Sequence, residues 1–405
     1  MKNVLFVNSS IYLPGEGGYK RTLYLLDMML EMGYKCTLLT GDFNHYSKKS
    51  RDINKFRNNY PEYNKSIEIL HKIPYKKNVS FKRFYSDKMF ESNIAKWVKH
   101  HIKEYDVVFV SDQEAVIKIS RILKNETATL IIDIRDLFPE ALKVVFKNEL
   151  LYKFLTYPFK IHEDKSFACA DELVAVSKEY LERGLLTNKK SQNPEVVYIG
   201  ATLELFDEGI NSYSNKIVKQ DNEFWITYAG TIGASYDFKT IIDAMSILEK
   251  QHSNIKFKIL GQGPDEKMLK EYCKEIGTFN VDFLGFKNYP EMAAYLSKSD
   301  ITINNIKKNA SQSIINKVAD YFASGKPMLN SCRNKEMQWL INNFKTGLNY
   351  EAENVQDFID KFYVLYNDKS LCSKFGKNAR QLAESQFDRK TSYKKIINVI
   401  EKTKK

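Results

Sequence analysis

No apolar run in this 405-residue chain approaches the length of a membrane span, so no transmembrane helix is expected. The start, Met1-Lys2-Asn3-Val4-Leu5-Phe6-Val7 running into Asn8-Ser9-Ser10, reads as a first β-strand and not as a signal peptide, which points to the cytoplasm. Cysteine is scarce. Cys36, Cys169, Cys273, Cys332 and Cys372 are scattered, odd in number and without a Cys-x-x-Cys pair, which argues against a disulfide framework or a zinc site. The six histidines do not cluster, and no Asp-x-Asp triplet occurs, so no metal site is expected. Short-period repeats and low-complexity segments are also absent.

Hydrophobic residues make up 43% of the chain, ample for burial, and its length suggests two domains of about 200 residues each. The net charge is +12 and is unevenly spread. Between Lys65 and Lys103 ten lysine or arginine residues face only Glu68, Asp87 and Glu91. Tyr75, Phe81, Phe84, Tyr85, Phe90 and Trp97 interleave with these cations, a pattern suited to an anionic membrane surface. Nucleic acid would be attracted to the same patch, but no nucleic-acid-binding module accompanies it, and no nucleic-acid partner is expected.

Short β-like runs alternate with helical stretches, which predicts parallel sheets wrapped by helices. Strands are expected at residues 4–7, 36–40, 67–70, 107–111, 130–134, 173–176 and 196–199. A polar stretch, residues 206–222, interrupts the rhythm and reads as a linker. Strands then resume at 224–228, 257–260, 281–284, 301–304 and 328–331, and the tail after Val355 is nearly all helical in pattern.

The segment Ser311 to Pro327 combines a polar loop, a predicted helix start near Ser313, Lys317, Asp320 and a Gly325-Lys326-Pro327 turn. Unpaired N–H groups at a helix start favour a diphosphate, Lys317 adds a charge, and Asp320 can accept hydrogen bonds from ribose hydroxyls. Glycine turns follow other strands: Pro14 to Arg21 with Gly17 and Gly18, Gly230-Thr231-Ile232-Gly233, Gly261-Gln262-Gly263, and Gly285-Phe286. They permit close backbone approach to a ligand. Arg135-Asp136 and Glu140 stand after a very apolar strand, where open α/β sheets bind ligands.

At these residues the chain resembles the retaining glycosyltransferases of family 4. Their signature is a Glu, seven residues, a second Glu, then a small-residue turn and Pro; those positions here hold Gln312 and Asp320. Asn316-Lys317 with Asp320-Tyr321, and Arg135-Asp136 followed by an aromatic, Pro and Glu140, are similar to the subgroup transferring N-acetylated deoxysugars such as N-acetyl-fucosamine in bacterial surface polysaccharide synthesis. The Arg and Lys that usually follow the second-domain glycine turn are missing, with Thr231 at the first place.

The resemblance implies an α/β protein of GT-B fold, two Rossmann-like domains with parallel sheets facing a central cleft. It implies an acceptor-binding domain at 1–205, a linker at 206–222, a nucleotide-sugar domain at 223–385, and a helix at 386–405 crossing back. The implied donor residues are Gly17, Gly18, Gly230, Thr231, Gly233, Gly261, Gly263, Gly285, Phe286, Gln312, Ser313, Ile314, Asn316, Lys317 and Asp320. Arg135 and Asp136 would hold the acceptor, and Asp136, Glu140 and Lys317 would carry the chemistry. The implied reaction moves a sugar, UDP-linked and N-acetylated, to a lipid-linked saccharide at the inner face of the membrane, in capsule, O-antigen or exopolysaccharide synthesis. It proceeds with retention and without metal or other cofactor, alongside other polysaccharide-assembly enzymes. A sugar-nucleotide epimerase and a non-catalytic partner subunit of the same fold are the alternatives.

Overall fold

The fold is that of a computed structural model, which describes the chain except for Tyr19, Val79, Asp112, Phe138 and residues 140–148, 311–313 and 404–405. It divides into two units, Met1–Val197 with Tyr393–Lys405, and Tyr198–Ser392.

In the first unit the strands are β1 (Asn3–Val7), β2 (Lys35–Gly41), a short antiparallel hairpin of β3 (Phe43–Asn44) and β4 (Lys49–Ser50), β5 (Ile67–Leu70), β6 (Val107–Val110), β7 (Thr129–Ile134), β8 (Glu172–Ala175) and β9 (Glu195–Val196). All but the hairpin form one parallel sheet in the order β5-β2-β1-β6-β7-β8-β9. The apolar runs of β6 and β7 are buried throughout because helices cover both faces. Leu5 and Val7 of β1 pack into the core on one face and Val4 and Phe6 into that on the other. The terminal helix Lys394–Lys402 joins the second of these cores through Ile396, Ile397, Val399 and Ile400, whose helical spacing makes one apolar stripe.

The second unit contains β10 (Phe224–Ala229), β11 (Ile255–Leu260), β12 (Val281–Gly285), β13 (Ile301–Asn304), β14 (Met328–Asn330) and β15 (Gly347–Asn349), again all parallel, in the order β12-β11-β10-β13-β14-β15. Strand order reverses beside β1 in one sheet and beside β10 in the other. At such switch points the loops leaving adjacent strands diverge and open a crevice.

Three expectations change. The stretch 206–222 is not a linker: it enters helix Leu203–Tyr213, where Phe206 is fully buried and meets Tyr289 edge-on at 6.3 Å. Its polar residues are the outer face of an amphipathic helix, which composition alone reads as a loop. The chain enters the second unit at Tyr198, whose ring stacks on Phe387 at 4.4 Å and whose hydroxyl donates to Glu336 at 2.8 Å. Finally, the helix expected from Ser313 begins at Lys317 and runs only to Ala323, so Lys317 opens its first turn.

One buried ion pair ties the first unit together. Arg21, at the start of helix Arg21–Glu31, donates from Nε and Nη2 to both oxygens of Asp133 on β7 at 3.0 and 2.9 Å, and from Nη1 to the Val197 carbonyl at 2.9 Å. Tyr393 lies beneath the guanidinium at 5.0 Å. Arg21→Ala is expected to cost about 3–5 kcal/mol of unfolding free energy, because Asp133 would be left charged and buried. Urea unfolding of the full chain checks this, and a loss under 1 kcal/mol would refute it.

Candidate functional site

The second unit brings together, at the C-terminal edge of its sheet, the glycine turns and Lys317 expected at the donor site; Gly17 and Gly18 lie in the first unit. The turns after β10, β11 and β12 lie against one another: the Gly230 N–H donates to the Leu260 carbonyl at 2.8 Å, Ile232 to Gln262 at 3.0 Å, and Gly261 to Gly285 at 2.8 Å. Gly261 has φ +147°, and a Cβ there would stand 1.8 Å from the Gly230 oxygen, so no other residue fits. Gly230 has φ +145°, and a Cβ on it would meet the Lys317 ammonium at 2.2 Å. The lysine side chain therefore lies across the glycine.

Helix Lys317–Ala323 is fixed in this position by Tyr321. Its buried hydroxyl accepts from the Ala229 N–H at 3.0 Å and donates to the Ala229 carbonyl at 3.1 Å. Tyr321 is four residues after Lys317, on the same face, so locking one locates the other. The Lys317 ammonium is 2.5 Å from the Tyr228 hydroxyl and stands over the Tyr228 and Tyr236 rings at 4.2 and 3.9 Å. Tyr236 is brought there by an antiparallel bridge to Ile306. Burial pushes the Lys317 ammonium down to about 7, since no carboxylate pairs with it among the described residues. The ring faces return part of that cost. The result is an amine held dry at a glycine turn, with no carboxylate partner among the described residues.

Asp320 lies on another face of the helix. It is 5% exposed, accepts from the Tyr289 hydroxyl at 2.8 Å, and is pushed up to about 6 by burial, with Tyr289 and then Arg389 opposing the rise. Its Oδ1 is thus already engaged. Thr231 is exposed, and its carbonyl accepts from Tyr228 at 2.6 Å; Gly233 is buried, and Gly263 and Gly285 are partly buried in their turns. Phe286 is 73% exposed just beyond β12. Ile314 is buried ahead of the helix, and Asn316 stands at its N-cap position without a side-chain capping bond. Gln312 and Ser313 lie outside the described residues.

In the first unit Arg135 follows β7 with its Nε 3.8 Å from Asp133, too far for a hydrogen bond because Asp133 is committed to Arg21. Asp136 is exposed, yet surrounding protein raises its carboxyl above the ordinary range, with Arg135 acting against the rise. Glu140 is outside the described residues. Gly17 and Gly18 are exposed in a loop braced by Arg51, which pairs with Glu16 at 2.8 and 2.9 Å and donates to the Ile11 and Gly41 carbonyls. Tyr12 from this loop stacks on Tyr46 of the hairpin at 4.3 Å. Beside them His45 is driven down to about 4 by burial and then by Lys48, Arg83 and Lys72. This edge of the sheet is therefore electropositive.

Sequence reasoning missed Tyr228, Tyr236 and Tyr289 in the second unit and His45, Lys48 and Arg51 in the first. Tyr228 carried a weak signal as the residue just before a glycine turn. The others are assembled only by the fold.

Two Rossmann-like units with all-parallel sheets and glycine turns at a switch point define the GT-B class of fold. The Anabaena protein HepE, crystallised in complex with UDP, superposes with a TM-score of 0.71 at 14% identity, covering 99% of this chain and 100% of HepE. Residues 210–382 match the family described as glycosyl transferases group 1. WcaI of Escherichia coli, named as a colanic acid biosynthesis glycosyl transferase, is 22% identical over 237 residues, 57% of each chain. The uncharacterized glycosyltransferase MJ1178 of Methanocaldococcus jannaschii is 23% identical over 234 residues, 58% of this chain and 59% of its own. The alignments thus span under two thirds of either relative.

Because Lys317 titrates lower folded than unfolded, the unfolded chain binds the extra proton between about pH 7 and pH 10.5. Wild-type stability contributed by this group therefore rises with pH across that window. Lys317→Met should be more stable than wild type at pH 7, and the gain should shrink towards pH 10. Paired melting curves across this range check it, and a difference independent of pH would contradict it.

Proposed function

We propose that this chain is a glycosyltransferase that moves a sugar, UDP-linked and N-acetylated, to a lipid-linked saccharide during bacterial surface polysaccharide synthesis. The observation that carries the reading is the uncompensated Lys317 ammonium across Gly230, inside the segment that matches glycosyl transferases group 1. A diphosphate supplies the missing counterion. The HepE complex with UDP and the polysaccharide naming of WcaI support the donor and the setting.

In this reading the diphosphate binds Lys317 and the glycine-turn backbone, and the bond from the anomeric carbon to the phosphate oxygen breaks. The acceptor hydroxyl attacks from the same side, a departing phosphate oxygen takes its proton, and configuration is retained. Lys317, fully protonated once the dianion is bound, stabilises the leaving charge in the role a metal has in other transferases. Arg135 and Asp136 orient the acceptor. The epimerase alternative would give an altered nucleotide sugar from donor alone, and the non-catalytic alternative would give no nucleotide binding.

A diphosphate raises the Lys317 pKa, so binding of a UDP-sugar, whose diphosphate has no ionisation near neutrality, takes up a proton above pH 7 and weakens as pH rises. Calorimetry in buffers of different ionisation enthalpy reads this uptake. Lys317→Ala is expected to abolish it and to lower turnover about a hundredfold, or about 3 kcal/mol. Unchanged uptake in that variant removes Lys317 from the mechanism.

We also assign the membrane contact to the start of helix Phe81–His101. Phe81, Phe84 and Tyr85 are 83%, 49% and 50% exposed there, next to exposed Lys76, Lys77 and Lys82. Lys72 does not belong to this surface: it is buried and paired with Asp87 at 2.9 Å. At about 1 kcal/mol per lysine near an anionic surface, reversing Lys76, Lys77 and Lys82 to Glu should weaken binding to anionic liposomes more than tenfold and leave UDP affinity unchanged. Equal sedimentation of variant and wild type with liposomes would sink the assignment.

A further inference from the structure

The second unit has a groove of about 1080 Å³ on the edge of its sheet opposite to Lys317. Its walls are the residues at the starts of the strands, among them Phe224 opening β10, Asn254 before β11, Asp300 before β13 and Pro327 before β14, closed by helix Lys369–Leu382. The volume lies just above the usual range for small-molecule sites, about 300–1,000 Å³.

Six lysine or arginine side chains and three carboxylates line it, and their pairing leaves an excess of positive charge. Lys219 is neutralised by Asp300 at 2.5 Å, and Arg380 by Asp207 at 2.7 Å and Glu384 at 2.8 Å. Among the described residues Lys298 donates only to the Ile217 carbonyl, at 2.6 Å. Lys369 and Lys377 make no ion pair with a described residue, and with Ser373 between them they form an i, i+4, i+8 stripe along the groove wall. Lys326 is the informative member. It is partly buried and has neither a hydrogen bond nor an ion pair with any described residue.

The backbone holds Lys326 in this position. Gly325 has φ +66°, and a Cβ on Gly376 would stand 2.2 Å from the Gly325 oxygen, so the helix lies directly on the Gly325-Lys326-Pro327 turn. Asp300 acts on Lys326 electrostatically but is itself paired with Lys219, so the ammonium stays desolvated without a salt bridge to a described residue, a cost that a bound anion would offset. Asp221 and Glu223 remain at the rim but do not reach it.

We propose that this groove is a second binding site, for a small phosphorylated anion held by Lys326 with Lys369 and Lys377. It is separate from the donor site and does not depend on the function proposed above. The turn it grips also ends helix Lys317–Ala323, so an occupant would bear on the element that carries Lys317.

The test is calorimetric titration of the full chain with inorganic pyrophosphate at pH 7 and low salt, with and without saturating UDP. Binding should persist with UDP present and in Lys317→Ala. It should weaken at least tenfold in Lys326→Ala and in the double variant Lys369→Ala/Lys377→Ala, whose positions are exposed and tolerant, and Lys326→Arg should restore most of it. No binding, wild-type affinity in Lys326→Ala, or loss in Lys317→Ala alone would each overturn the proposal. If UDP itself fails to bind, the contrast between Lys326→Ala and Lys317→Ala still decides the matter.

Discussion

The candidate site depends on how closely three backbone turns approach one another. Gly261 sits so near the Gly230 carbonyl, and Gly230 so near the Lys317 ammonium, that any side chain at either position would occupy space already filled. Hydrogen bonds from Gly230 to Leu260 and from Gly261 to Gly285 fix the stack, and the Tyr321 hydroxyl locks the helix to Ala229. Lys317 then lies between Gly230 and the rings of Tyr228 and Tyr236. Folding free energy from the surrounding core holds a charge where water would otherwise be preferred. In the function proposed here, a bound diphosphate would relieve that cost.

The first unit treats charge differently. Buried Arg21 is matched by Asp133, and this pair joins a helix, a central strand and the end of β9. Around His45, by contrast, Lys48, Lys72 and Arg83 share only Asp87, which pairs with Lys72 at 2.9 Å and Arg83 at 3.3 Å. The Arg21–Asp133 pair is matched one to one, whereas near His45 Lys72 and Arg83 share a single carboxylate. The same contrast separates Arg380 from Lys326 in the second unit.

Much of the architecture was legible in the sequence because parallel strands buried on both faces are written as unbroken apolar runs. Leu130 to Ile134 and Ile301 to Asn304 fall within a residue of the observed strands. Strand β15 was not anticipated; Gly347–Asn349 is three residues long and has no apolar run to announce it. The segment 206–222 was misread for a physical reason, since an amphipathic helix with Gly209 and several polar residues has the composition of a loop. At the site, Lys317 and the glycine turns were visible through their residue types and order. The tyrosine cage was not, because Tyr236 reaches Lys317 only through its bridge to Ile306, a contact between segments some seventy residues apart.

The central claim is that the second unit binds a nucleoside diphosphate through Lys317 and its glycine turns, and a thermal-shift screen tests it most directly. UDP, GDP, ADP, dTDP and CMP would each be added, without metal, to wild type and to Lys317→Ala, since a ligand that binds only the folded state raises the melting temperature. The account predicts a selective rise with UDP in the wild type that is lost in the variant. No rise with any nucleotide, or an equal rise in both proteins, would contradict it.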